Sequence, residues 1–171
     1  MKRLLPALAA TGAMLVAAGC CGRRATEPPA SPPPPGAVLP RSAFSVGWEV
    51  LKVPASFQAR RSDSVLVRVR NESDSTWPDR AMADPAASGV RAVRLAHRWT
   101  ALGATAPPPF GTSRMDLPAP LAPGESVDML VPVEVPAVPG HYTLELALVQ
   151  ENVAWFADNG GATLAIAVRV N

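Results

Sequence analysis

Residues 127–150 have the sequence VDMLVPVEVPAVPGHYTLELALVQ, and this stretch decides the fold. Apolar side chains occupy every second position, first from Val127 to Val135 and then from Tyr142 to Leu148. This period of two is that of a β-strand with one buried face, because successive side chains point to opposite sides. The Pro139-Gly140 pair between the two runs is typical of a turn. The stretch therefore predicts two strands whose apolar faces need a second sheet to cover them.

The same alternation recurs elsewhere, and helical periodicity is absent after residue 43. The further predicted strands lie near 44–53, 65–69, 93–99, 112–117 and 164–170. About seven strands in about 128 residues is the number found in an antiparallel sandwich of the immunoglobulin (Ig) type. The sequence DNGG at 158–161 predicts a turn before the last strand, because these residues tolerate positive backbone angles. The fold class expected from the sequence is therefore all-β.

The segment GHYTL at 140–144 resembles the tyrosine corner of Ig-like domains. The resemblance implies that the Tyr142 hydroxyl bonds to backbone upstream and that Leu144 takes the core position of strand F. Antibody domains have a Cys at that position, so the inter-sheet disulfide is missing here. The resemblance therefore implies an Ig-like sandwich that relies on its apolar core.

A longer series of motifs supports an Ig-like domain over about 100 residues. In order, the motifs are VRNES at 69–73, TWP at 76–78, RW at 98–99, LAPGE at 121–125, VP at 135–136, PGHY at 139–142 and WF at 155–156. This order resembles the four-tryptophan Ig-like domain of autophagy cargo receptors. It is also similar to Ig-like modules attached to bacterial envelope enzymes. The resemblance implies a sandwich domain that mediates protein contacts or acts as an accessory module.

The N-terminus predicts export. Lys2 and Arg3 precede 15 uncharged residues, which is the length of a secretory h-region and too short for a bilayer span. The run ends in AAGC at 17–20, which resembles the lipobox of bacterial lipoproteins. That resemblance implies a signal peptide over 1–19, an acylated Cys20 and a protein anchored by its N-terminal lipid to the extracytoplasmic face of a bacterial membrane. The alternatives are an ordinary cleaved signal and a lipid on Cys21, and the pattern leaves plasma membrane and outer membrane open.

Residues 20–40 predict a tether between the anchor and the domain at 41–171. Six of the eight residues from Pro28 to Pro35 are proline, a composition that favours extended polyproline II. A rival interpretation is a ligand for a proline-recognition domain. The two Cys stand at 20 and 21 and none follows, so the domain has no disulfide framework.

Composition excludes several classes of protein. Hydrophobic residues make up 48% of the chain, enough for a core. Of the 16 basic residues two lie in the first three positions, so 14 basic residues face 14 acidic ones after residue 21. A neutral domain lacks the positive surface that nucleic acid requires, so no nucleic-acid partner is expected.

Few residues suggest chemistry. His97 and His141 lack metal-ligand spacing, and we expect the first to be a core or interface residue and the second to be solvated. The polar run NESDS at 71–75 raises a calcium site, but it lacks a calcium-loop pattern and predicts a turn. Glu145 and Glu151 are the nearest candidates for a carboxylate pair, and nothing marks them as paired. No cofactor, metal or catalytic constellation is therefore predicted.

The aromatic residues suggest a binding surface instead. Trp99 is expected in the core, and Trp77 is expected to plug one end of the sandwich. Trp155 and Phe156 point to opposite sides of an extended segment, so one of them is a candidate for exposure. The candidate binding surface comprises Trp155, Phe156, Gln150, Asn152 and Asp158. Such a surface suits a sugar or a protein contact, and the competing interpretation is that both aromatics cap the core.

These observations favour a lipid-anchored, non-catalytic binding or scaffolding module of the cell envelope that acts through protein–protein contacts. The alternative is a carbohydrate-binding accessory module. The expected partners are the membrane and an envelope protein or glycan that the sequence does not identify.

Overall fold

The computed structural model describes residues 36–83 and 90–171, which form two packed antiparallel sheets. The strands are β1 (Val46–Lys52), β2 (Ser62–Asn71), β3 (Val93–Ala101), β4 (Met115–Asp116), β5 (Ser126–Glu134), β6 (Gly140–Gln150), β7 (Ala154–Trp155) and β8 (Leu164–Val170). The helical elements are α1 (Arg80–Ala83) and two 3-10 helices, Arg41–Phe44 and Ala157–Asn159.

The strand order is that of an Ig-like sandwich. The first sheet has the order β1-β2-β5, and the second has β4-β3-β6, with β7 and β8 sharing the far edge of β6. As in constant-type Ig domains, β1, β2 and β5 share one sheet, and β3, β6 and the last strand, β8, share the other. The fourth strand differs, because it pairs with β3 instead of joining the first sheet. The predicted all-β, Ig-like fold is confirmed, with the short β7 as an addition.

The core follows the alternation predicted from the sequence. The apolar rows of β2 and β5 in the first sheet face the apolar row of β6 in the second, and their central residues are buried. The tyrosine corner is also present, because the Tyr142 hydroxyl donates a hydrogen bond to the Val138 carbonyl at 2.8 Å. Leu144 is completely buried, as the resemblance implied.

Trp77 is the fully buried tryptophan, which corrects the expectation that Trp99 lies in the core. Trp77 is fully buried, and its Nε1 donates to the Ala43 carbonyl at 2.7 Å. Trp99 packs against the core from the end of β3 but stays partly exposed, with its ring edge-to-face with Phe57. Alternation shows which side chains of a strand point toward the core. It does not show how far along the strand the opposite sheet covers them, so a residue near a strand end is less buried than its place in the alternation suggests.

The domain extends upstream of the predicted boundary at residue 41. Leu39 is buried, and its backbone N–H donates to Oε1 of Gln150 at 3.0 Å. Residues 36–40 therefore pack on the domain, although the sequence assigned them to the tether. The signal peptide, Cys20, Cys21 and the proline run to Pro35 lie outside the described residues.

Candidate functional site

Trp155 lies on the outer face of the second sheet, away from the core. It pairs with Val149 through β7, and its ring stacks on Phe110 with centroids 4.6 Å apart and planes 25° apart. Phe110 comes from the connection between β3 and β4. The next residue, Gly111, donates its N–H to the His97 carbonyl at 3.2 Å, so this connection runs along β3. The two rings thus come from opposite sides of β6.

Arg98 also lies over the Phe110 ring. Its guanidinium carbon is 4.1 Å from the Phe110 centroid. Glu145, the register partner of Arg98 on β6, accepts a hydrogen bond from the Arg98 Nε at 2.7 Å. A cation–π contact and an ion pair therefore hold Phe110 in place.

Arg114 makes a corresponding cation–π contact and ion pair beside Trp155, at the other end of the stack. Its guanidinium carbon lies 5.0 Å from the Trp155 ring, and its Nε donates to Oε1 of Glu151 at 2.7 Å. The Arg114 and Glu151 side chains keep only 18% and 20% of their exposure, so this ion pair is less screened than a surface pair. We call these six residues the aromatic stack: Arg98, Phe110, Arg114, Glu145, Glu151 and Trp155.

The aromatic stack forms a partial third layer over the second sheet. Ala96, Ala147 and Val149 face outward by alternation, yet all three are buried. Each ring thus has two neighbours, the other ring and an arginine, and Trp155 stays partly exposed. The sequence offered no signal for Phe110, Arg98 or Arg114, because they are distant from Trp155 along the chain.

Two members of the predicted binding surface are internal, which corrects their assignment. Phe156 is fully buried and packs edge-to-face on Trp77, with centroids 5.1 Å apart, because it points to the opposite side from Trp155. Gln150 is also fully buried. Its Nε2 donates to the carbonyls of Ala37 and Arg91, at 2.9 and 3.0 Å, so it fastens the N-terminal segment to the domain.

The other members are accessible. Asn152 and Asp158 are exposed, and both lie in the connection between β6 and β8 that also carries the partly exposed Trp155. Asn152 adopts a left-handed conformation with φ of 57°, and Gly160, in the turn predicted at 158–161, has φ of 89°. The candidate surface therefore reduces to Trp155, Asn152 and Asp158, and its binding role stays a prediction.

The two histidines occupy different environments. His97 is partly buried, and the burial lowers its pKa below the ordinary value, while the charge of Glu134 acts in the opposite direction. His141 is exposed, as expected for a residue of the corner turn. Across residues 36–83 and 90–171, no group of three or more His, Cys, Asp or Glu side chains is placed to hold a metal ion.

The polar run after β2 forms a closed turn. The Asn71 side chain is buried and donates to the carbonyls of Ser75 and Leu121, both at 2.8 Å. Its Oδ1 accepts from the backbone N–H of Ser73 at 3.0 Å. The amide that the calcium hypothesis would need as a ligand is thus committed to the turn itself.

Comparisons with known proteins show likeness of strand arrangement only. No protein-family model and no curated protein matches the sequence. Among solved structures, the CARDB domain of the PF1109 protein from Pyrococcus furiosus, solved in complex with di-metal ions, is 13% identical, with a TM-score of 0.44 over 74% of this chain and 86% of that chain. AvmM, which catalyzes macrocyclization in alchivemycin A biosynthesis, is 13% identical with a TM-score of 0.42 over 75% and 89%. The β-glucosidase of Listeria innocua in complex with glucose is 12% identical, with a TM-score of 0.41 over 74% of this chain and 16% of that chain. At these values of identity and TM-score, no ligand or activity is carried over to this chain.

Within the described part of the chain, no helix has the length and apolar character needed to cross a bilayer.

Proposed function

We propose that this protein is a lipid-anchored, non-catalytic module of the bacterial cell envelope whose Ig-like domain binds another protein. The anchor is Cys20, and the domain stands on the extracytoplasmic side of the membrane. The lipobox-like sequence and the h-region before it support the anchor. The contacts that each ring of the aromatic stack already makes carry the choice of a protein partner over a glycan.

A sugar ring stacks on an open aromatic face, whereas each ring of the aromatic stack already contacts the other ring and an arginine. Phe110 is covered by Arg98 and Trp155, and Trp155 is covered by Phe110 and Arg114. Binding a glycan there would require breaking a cation–π contact and an ion pair first. A protein partner needs only the exposed part of Trp155 and the polar residues beside it in the chain, and Trp and Arg are among the residue types most enriched at such contacts.

The candidate surface lies at the end of the domain where the tether enters. Gln150 ends β6 just before Asn152, and it binds the backbone of Ala37 and Leu39. The 16 residues from Cys20 to Pro35 span at most about 50 Å as polyproline II. We therefore expect the partner to be close to the membrane rather than far from it.

A photo-crosslinking amino acid at Asn152, placed in the full chain in intact envelopes, tests the contact. We expect a discrete adduct that Trp155→Ala reduces at least about tenfold, the loss typical of a hot-spot residue. The matched control position is Ala137, which is exposed at the opposite end of the domain. Equal adducts at both positions, or an adduct that survives Trp155→Ala, would contradict the proposal. A shift in Trp fluorescence on titration with envelope polysaccharide would favour the glycan alternative.

The anchor has its own test. Cys20→Ser is expected to abolish labelling by an acyl probe and retention in the membrane fraction, while Cys21→Ser keeps both. Undiminished labelling of Cys20→Ser would discard the anchor and leave the domain's binding role to be judged by crosslinking alone.

A further inference from the structure

In the part of the chain that the structure describes, three of the four sheet edges carry features that hinder pairing with another strand. On β1 these are Glu49, Lys52 and a register shift between Val50 and Lys52. On β5 they are Pro132 and the acidic residues Asp128 and Glu134, and β4 is only two residues long. Charges, proline, bulges and short length are the usual protections of edge strands.

The fourth edge, β8, lacks these protections. Its sequence is LAIAVRV, with Arg169 as the single charge and no proline. The Arg169 carbonyl accepts a hydrogen bond from the Phe57 N–H at 2.8 Å, so the backbone groups of the odd-numbered residues point away from β6. Ala165 and Ala167 therefore present their N–H and C=O groups to the free edge, without a backbone partner among the described residues.

The flank beside this edge is apolar and incompletely filled. Leu164, Ile166 and Val168 form the inner row of β8, and all three are only partly buried. Ile166 is not packed against the core, and Val50 on the facing edge strand keeps 40% of its exposure. The unpaired stretch of the β8 edge, which we call the open window, is bounded by two contacts. At one end the Trp48 Nε1 donates to the Ala162 carbonyl, and at the other Phe57 pairs with Val170.

We propose that this edge pairs with the same edge of a second copy of the chain, antiparallel about a two-fold axis normal to the sheet. Ile166 then faces Ile166 of the partner subunit, and Ala165 faces Ala167 of the partner subunit. In this register the apolar inner rows of the two β8 strands lie side by side in opposite directions. In the outer rows, alanine faces alanine. The two Arg169 side chains lie six residues apart along the strands, about 20 Å, so they do not repel.

The antiparallel arrangement follows from the sequence of β8. A two-fold axis parallel to the strands would turn one copy's apolar row to the solvent face, because side chains alternate. An isologous pairing also uses one patch twice and closes on itself, so it ends at a dimer. The short window places the interface at the low end of specific interface sizes, and we expect a Kd in the micromolar range, roughly 1–100 μM.

This inference concerns a surface separate from the aromatic stack and does not depend on the anchor. Cysteine crosslinking tests the register in the full chain carrying Cys20→Ser and Cys21→Ser. Ile166→Cys is expected to form a disulfide-linked dimer, because residues facing each other at such a position have Cα atoms about 4.5 Å apart, within disulfide range. Leu130→Cys, 58% exposed on β5, is the matched control and is expected to stay monomeric. Equal crosslinking of both variants, or a crosslink of Ile166→Cys to a foreign chain alone, would overturn the proposal.

Sedimentation equilibrium of the full chain in mild detergent tests the hydrogen bonds. Ala165→Pro removes an N–H that points to the free edge and none that bonds to β6, so the fold is expected to persist. We expect the dimer Kd to rise at least about tenfold, from the lost hydrogen bonds and the bulk of the ring. If Ala165→Pro does not fold, Ala167→Lys gives the same test by adding a charge at the edge. A wild-type chain that stays monomeric at several hundred micromolar, or a dimer that neither variant weakens, would refute the pairing.

Discussion

Trp155 and Phe156 are neighbours in the chain, yet they belong to two different kinds of aromatic cluster. Phe156 joins Trp77 and Phe44 in a buried, edge-to-face cluster at one end of the core, with centroids 4.9 to 5.1 Å apart. Trp155 joins Phe110 in a parallel stack on the outer face, closed by arginines. The buried cluster depends on apolar area removed from water, and the outer one depends on cations and carboxylates.

This contrast has consequences for stability and for binding. The buried cluster has no accessible surface, so a substitution there acts on folding alone. The outer stack covers small residues of the second sheet and leaves Trp155 partly exposed, so we expect a substitution there to act weakly on folding and, under the proposed function, strongly on the contact. The substitutions that follow probe this division, from the largest expected effect to the smallest.

Trp77→Ala is expected to lower the free energy of unfolding by about 3–5 kcal/mol, the cost of removing a large buried aromatic side chain. The indole Nε1 also donates a hydrogen bond to the Ala43 carbonyl, and this carbonyl would lose its partner in the variant. Urea unfolding followed by circular dichroism measures the loss. Trp48→Ala, at a partly buried tryptophan, is the matched comparison and is expected to cost less. Equal losses for the two would break the distinction between buried and peripheral tryptophans.

Gln150→Leu is expected to cost about 1–3 kcal/mol, because it keeps the volume but leaves one buried and two partly buried backbone groups without their partner. The groups that lose their partner belong to Ala37, Leu39 and Arg91. We also expect faster proteolysis near residues 36–40, since this side chain fastens that segment. Asn152→Gly, at an exposed positive-φ position, serves as the control and should leave both readouts near wild type. Wild-type stability in Gln150→Leu would mean that the segment does not need the amide.

Trp155→Ala is expected to cost only about 1 kcal/mol of stability, close to the value of one aromatic pair. A double-mutant cycle with Phe110→Ala measures the coupling between the two rings directly, and we expect about 0.5–1.5 kcal/mol. If Trp155→Ala destabilises the domain as much as Trp77→Ala, the outer stack is a structural element and the division between the clusters fails.

The smallest expected effect is a pH dependence from His97. Burial disfavours its imidazolium form, so the folded-state pKa lies below that of the unfolded chain, about 6.5. Below that pH the unfolded chain binds more protons, and stability falls as the pH drops from about 6.5 through the folded-state pKa. Melting temperatures between pH 7.5 and 5 should show this loss, and His97→Gln should diminish it. An unchanged pH dependence in His97→Gln would contradict this assignment.

The strands and the tyrosine corner were predictable because their signals are local. Alternation over five or more residues and a turn at Pro139-Gly140 depend on neighbours in sequence, so they survive without tertiary information. Gln150 shows the limit. It continues the alternation of β6 as a polar residue, and from sequence it looked like a surface group near Trp155. It is buried because residues 36–39, more than 100 positions away in the chain, pack on it and hydrogen-bond to it.

The sequence by itself determined the sandwich, the strand that contains each apolar row, the corner turn and the opposite orientation of Trp155 and Phe156, because side-chain alternation is a property of the extended backbone. Only the tertiary fold established which tryptophan is fully buried, that two arginines lie over the rings of Trp155 and Phe110, and that β8 keeps an unprotected edge. Those outcomes depend on residues 12 to 47 or more positions apart meeting across strands and loops, and pairings of that kind leave no trace in a local pattern.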